Sequence, residues 1–192
     1  DGIQLIQSSY PLPWHIGGST RANPLMQITL PEALPAEFGI GVTMKMLWGA
    51  NDPAAEGVYR RAFDIFIGQS NRISILWWPV PKRWGAEVRI NNVTVSSGLP
   101  SIGFAEGDIV ALYFERRVNK FRLTGKFAGG EIAFSDWAAD DRQLPDFNTI
   151  YVGCQAAAYH ANAVLADFVL HDRPEDIDPE GYLSAIPGGG EE

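Results

Sequence analysis

From Phe38 to Trp48 every even-numbered residue is apolar (Phe38, Ile40, Val42, Met44, Met46, Trp48), with Gly39, Gly41, Thr43 and Lys45 between them. Side chains alternate across a strand, so this run predicts a long strand with one face in a core. Period two returns at Phe63, Ile65 and Ile67, at Ile73, Ile75 and Trp77, at Ala86, Val88 and Ile90, and at Phe121 and Leu123. Ile109 to Phe114 (IVALYF) is apolar on both faces, as a central strand covered on two sides requires. After Ile90 the apolar phase moves to Val93 and Val95, and Asn91-Asn92 suits a tight turn or a bulge because Asn tolerates positive φ. Further strands are expected near Ile3 to Ile6, Leu25 to Leu30, Glu131 to Phe134, Thr149 to Gly153 and Val164 to His171. In the last of these, Asp167 is expected on the face opposite Val164, Phe168 and Leu170. Pro179 and Gly181 interrupt the segment from Pro174 to Leu183, so no helix beyond roughly two or three turns is expected. No internal repeat is visible. Many short strands between Gly- and Pro-rich turns predict an all-β chain, built as an antiparallel two-sheet sandwich or a closed barrel.

Size and charge narrow the function. A chain of 192 residues is expected to fold as one domain with a core of its own. Fifteen basic against 23 acidic residues leave a net charge of -8, which repels phosphate backbones and anionic lipid; neither nucleic acid nor a membrane surface is an expected partner. Cys154 is the sole cysteine, so intrachain disulfides and multi-cysteine metal sites are excluded. No apolar run approaches the roughly 20 residues of a membrane span, and Asp1-Gly2-Ile3 lacks the basic-then-apolar start of a signal peptide, so a soluble chain is expected. Residues 187–192 read as a flexible tail or linker.

The order of segments in the second half carries a resemblance. Gly107-Asp108-Ile109-Val110-Ala111-Leu112-Tyr113-Phe114 is followed by Lys120-Phe121-Arg122-Leu123-Thr124-Gly125, then Thr149-Ile150-Tyr151-Val152-Gly153, then Ala166 to Arg173. This order resembles the laminin-G/concanavalin A-like jelly-roll superfamily over roughly Phe38 to Ile186. Animal laminin-G modules usually carry a disulfide near the C-terminal strand, where Cys154 has no partner, and Pro174-Glu175-Asp176 follows Arg173 in place of the usual Leu-Ser. The resemblance therefore implies a bacterial or bacteriophage version. It implies a sandwich over residues 38–186 and does not account for residues 1–37, which are expected to form an extended N-terminal arm or first strands. Such modules serve as virion tail or capsid-decorating proteins, or accompany sugar-binding and sugar-cleaving proteins.

Trp77-Trp78-Pro79-Val80-Pro81-Lys82-Arg83-Trp84 is the most unusual local composition. Alternation sends Trp77 and Trp78 to opposite faces, so one is expected inside and the other toward solvent. Indoles stack on the apolar faces of sugar rings, and Lys82 or Arg83 pairs with an acidic sugar, which makes a coherent carbohydrate or partner contact with Trp77, Trp78 and Trp84. The preferred reading is plainer: tryptophans beside a proline-bent hairpin cap a core or bury in a subunit contact. Asn51-Asp52 after Trp48 is a further rim contact, or simply a turn. Asp136, Asp140, Asp141 and Asp146 crowd one loop with Trp137 and supply the hard oxygens calcium prefers, although their spacing is not that of an EF-hand and solvated loop acids are commoner. His15, His160 and His171 are scattered singly, as structural histidines are. Asn92-Val93-Thr94 is a formal glycosylation sequon, attributed to chance.

No catalytic role is expected. The Glu-x-Asp-x-x-Glu run of jelly-roll glucanases is missing, and Phe63-Asp64-Ile65-Phe66-Ile67 offers a single carboxylate where glycoside hydrolysis needs two. No Gly-x-Ser-x-Gly elbow, phosphate loop or His-Glu-x-x-His helix is present. Two roles remain. The favoured one is a virion structural module, binding other virion proteins or copies of itself through its loops and its proline-rich arm (Pro11, Pro13, Pro24, Pro31, Pro35). The alternative is an extracellular or surface lectin-like module that binds glycan at its loop rim, with a jelly-roll glycosidase or lyase ranked behind it.

Overall fold

The structure is a computed structural model and describes residues 3–4, 26–53, 57–128, 130–153, 163–172 and 178–184. Cys154, His15, His160, Pro11, Pro13, Pro24, Arg173 and the tail lie outside the described residues. The described residues form thirteen strands and one short helix. In chain order the strands are β1 (Ile3–Gln4), β2 (Met26–Thr29), β3 (Phe38–Met46), β4 (Arg60–Gly68), β5 (Asn71–Trp78), β6 (Arg83–Ile90) and β7 (Val93–Gly98). They continue as β8 (Ile109–Arg117), β9 (Lys120–Lys126), β10 (Ile132–Phe134), β11 (Ala138–Ala139), β12 (Thr149–Val152) and β13 (Ala163–His171); the helix is α1 (Pro179–Ser184).

The strands make two antiparallel sheets. One has seven strands in the order β1-β13-β3-β8-β9-β10, with β11 also on β9; the other has six, in the order β2-β12-β4-β5-β6-β7. β1 and β2, from the segment preceding Phe38, are edge strands on β13 and β12 respectively. The even-numbered residues of β3 face inward as the alternation requires: Phe38, Ile40, Val42, Met44 and Met46 are all buried in one core with Phe63, Ile65, Ile73, Ile75, Leu112, Phe114, Phe121 and Leu123. This is a concanavalin A-like jelly-roll sandwich.

β8 lies between β3 and β9. Its inward residues Val110, Leu112 and Phe114 join the core, while outward Ala111 and Tyr113 pack beneath Leu183 and Tyr182 of α1. That cover explains an apolar run on both faces. Gly39 and Gly41 of β3 leave room for the same aromatics: a Cβ on Gly39 would collide with the Tyr113 hydroxyl, and one on Gly41 would stand 2.7 Å from the Tyr182 hydroxyl. α1 forms despite Pro179 and Gly181. Proline is tolerated at the first helical position, where its missing N–H has no partner in any case. Asp178 supplies the cap, accepting from the backbone N–H of Glu180 at 3.1 Å and of Gly181 at 3.0 Å.

Two register features differ from simple alternation. Asn91 and Asn92 take positive φ (51° and 66°) and make the β6–β7 turn, so the phase change there is a turn and not a bulge. In β13 the pairing shifts between Leu165 and Asp167, so Val164 faces outward opposite Lys45, at 53% exposure, on the same side as Asp167. The expectation that Val164 shares the face of Phe168 is corrected: one extra residue in the strand inverts the alternation upstream of it.

Candidate functional site

Three connections converge at one end of the sandwich: β3–β4 carrying Asn51, the β5–β6 turn from Pro79 to Lys82, and the β7–β8 loop with Ser101, Ile102 and Gly103. Between them lies an open groove of about 490 Å³. Backbone bonds lock this end together, since Ala50 N–H donates to Phe104 at 2.9 Å and Gly107 N–H to Met46 at 2.8 Å. The Ser101 hydroxyl donates to the Pro81 carbonyl at 2.9 Å, fixing the β5–β6 turn to the β7–β8 loop. The turn contains a cis Val80–Pro81 bond, and Lys82 follows it with φ of 54°. Val80 is 84% exposed on the rim.

Beneath the groove sits an aromatic cluster. Trp48 meets Trp77 with ring centroids 5.3 Å apart and Phe104 at 4.9 Å, both edge to face, and Trp77 meets Trp84 at 5.9 Å. Trp77 and Trp84 are directly opposite each other on β5 and β6 and therefore share a face, the inner one. Both are buried, at 0% and 1% exposure. They are corrected as contact residues: a ring sealed in the core has no face left for a ligand, and their role is to support the loops above. The Arg60 guanidinium stands 4.6 Å above the Trp48 ring. Burial pulls its pKa down, while the charge of Asp52 pushes it back up.

Trp78 points the other way, onto the outer face of the six-stranded sheet, and is half-buried there. Its indole lies across Gly85 and Gly98; a Cβ on Gly85 would overlap the ring, and one on Gly98 would stand 2.6 Å from it. The indole N–H donates to Glu87 at 3.2 Å, and the Arg83 guanidinium is 5.2 Å from the ring centre. Glu87 also accepts from Arg72 at 3.4 Å. Deeper in the same face, Arg61 pairs with Asp64 at 2.9 Å, and the Ser74 hydroxyl donates to the same carboxylate. Burial pushes the Asp64 carboxyl up, against the opposing pull of Arg61 and Ser74.

Asn51 and Lys82 thus line the groove, while Trp78 and Arg83 form the neighbouring sheet face reached through the same turn. Asp52 stays in the β3–β4 loop, its N–H bonded to Gly49. Ser101, Ile102 and Glu87 are contributors that the linear reading did not single out. One signal was present: glycine inside a strand, as at Gly85, marks a close approach to backbone.

The four aspartates weighed as calcium ligands do not form one site. Asp140 is buried between Arg116, at 2.7 Å, and Arg142, at 2.5 Å, whereas Asp136, Asp141 and Asp146 are exposed. Among the described residues no three His, Cys, Asp or Glu side chains gather as metal ligands. The cluster is corrected to an ion pair network, because the one buried carboxylate already has two cationic partners.

A groove with an apolar floor of Pro79, Pro81 and Ile102 and polar groups at Asn51, Ser101 and Lys82 suits a ligand that has both an apolar face and hydroxyls. No protein-family model matches the chain, and no curated protein matches its sequence. Solved structures do resemble it. The Ruminococcus gnavus IT-sialidase CBM40 bound to α2,6-sialyllactose aligns with a TM-score of 0.54 at 12% identity, covering 84% of this chain and 96% of that one. The same module bound to α2,3-sialyllactose gives 0.52 at 11% identity and the same coverage. Domains LG4-5 of the mouse laminin α1 chain give 0.51 at 9% identity, covering 78% of this chain and 39% of that one. At such identities the likeness establishes the fold.

Proposed function

We propose that this chain is a non-catalytic carbohydrate-binding module that takes glycan at its loop rim, with Asn51, Lys82 and Ser101 in the groove and Trp78 and Arg83 on its shoulder. The observation that carries the reading is Trp78: an indole laid flat over two strand glycines, hydrogen-bonded to Glu87 and partly open to solvent, beside a groove of mixed polarity. Sugar rings present C–H faces to indoles and hydroxyls to polar side chains, so the two surfaces match one ligand. Lys82 and Arg83 add a preference for acidic sugars. The two neighbours solved with bound sialyllactose support this class of ligand by analogy of fold. The sialyllactose-bound neighbours support the glycan reading over assembly, which it replaces as the favoured one. An extracellular or cell-surface setting follows from such a ligand.

A glycan array probed with the purified chain tests this. The reading predicts saturable binding to a small set of glycans, enriched in acidic ones, with every bound glycan recovered intact. An array without signal above background, or glycans recovered cleaved, contradicts it.

A further inference from the structure

The opposite end of the molecule carries a second exposed aromatic surface. On the outer face of the seven-stranded sheet, β8 presents Glu115 and Arg117, and β9 presents Arg122 and Lys120 directly opposite them. Phe134 and Trp137 lie along the far side of β9, at 40% and 37% exposure. Lys120 Nζ stands 4.4 Å from the Trp137 ring centre and the Arg122 guanidinium 4.5 Å; Arg122 is also 5.5 Å from Phe134. Aromatics and cations thus alternate in a ladder. Glu115 is 1% exposed and is held by Arg117 and by Arg122 at 3.0 Å, so its charge is compensated within the sheet.

Ordinary core packing does not account for this arrangement, because large rings are left open to solvent at the place where a chain of net charge -8 concentrates three cations. We propose that this ladder is a second binding surface, specific for a carboxylated polysaccharide. Apolar ring faces stack on Trp137 and Phe134, while carboxylates approach Lys120 and Arg117. The cationic surplus is small, since Glu115 and Glu37 lie close by, Glu37 accepting from the Val118 N–H at 3.0 Å. It therefore suits a polymer with about one charge per ring and uncovered C–H faces better than a densely sulfated one.

β8 begins beside the rim loops and ends at Arg117, about 27 Å away at strand rise. The two surfaces therefore lie on different sheets at opposite ends, and one polymer chain or two can be held at once. This inference does not rest on the rim reading.

Affinity electrophoresis through gels containing polygalacturonate, neutral dextran or dextran sulfate is the test. Polygalacturonate is expected to retard the wild type and dextran to leave it unaffected. Trp137→Ala should weaken that retardation at least about fivefold. Lys120→Gln, which removes a charge without touching the Glu115 network, should do the same, and Ile67→Ala, an exposed apolar position on β4 outside both surfaces, should migrate as wild type. The proposal is overturned by four outcomes: no retardation, retardation unchanged in Trp137→Ala and Lys120→Gln, loss of retardation in Ile67→Ala, or dextran sulfate retarding wild type and Trp137→Ala equally. A concentration-dependent rise in mass that Lys120→Gln abolishes assigns the ladder to self-contact and overturns it as well.

Discussion

Asp140 holds together parts of the chain that sequence separation would keep apart. It accepts from Arg116 of β8 and from Arg142, and Arg142 in turn donates to the backbone carbonyls of Val88 and Val93, at 3.1 and 2.6 Å. The network ties the two sheets at the end away from the groove. Burial pushes the Asp140 carboxyl up, but the hydrogen bonds and charges of Arg142 and Arg116 together outweigh it and hold the pKa below the ordinary range. Asp140→Ala leaves Arg116, 1% exposed, without its buried partner and should cost about 3 kcal/mol in urea unfolding. A depressed carboxylate contributes fully above its unfolded pKa and loses that contribution as pH falls through the folded value. The difference between wild type and variant should therefore be constant from neutral pH down to about 5 and shrink below about 4. A difference that grows on acidification contradicts this assignment.

Among the elements, α1 is the clearest case of a segment whose role comes from packing. Its six residues are too few for a helix to persist alone, and Leu183 is fully buried against Ala111 and Tyr113 of β8. Leu183→Ala should lower stability by about 2 kcal/mol and release the amides of residues 180–184 to hydrogen exchange while β8 stays protected. Equal loss of protection in β8 would mean that the helix is integral to the sheet. Period two made most strands legible, because one face of each is buried and the other is not. It failed for β11, two residues long, and for α1, whose cap and docking depend on Asp178 and on the surface below it. In the site, alternation correctly separated Trp77 from Trp78, but the inward direction of Trp84 followed from its pairing with Trp77, which only register supplies. The groove was invisible because Asn51, Val80 and Ser101 come from three connections that local pattern does not join.

At the scale of the whole molecule, the fold separates support from recognition. The aromatic cluster of Trp48, Trp77, Trp84 and Phe104 anchors the loops from within, and Trp78 with the groove faces outward. The loops are tied to one another by backbone and Ser101 hydrogen bonds, so binding should require little rearrangement. The most direct check is a calorimetric titration of an array-selected oligosaccharide into wild type and Trp78→Ala, with both proteins melting at the same temperature. Loss of the indole platform should weaken binding by about 1 kcal/mol or more, roughly fivefold at the least. Identical affinities for the two proteins would contradict glycan recognition at this rim.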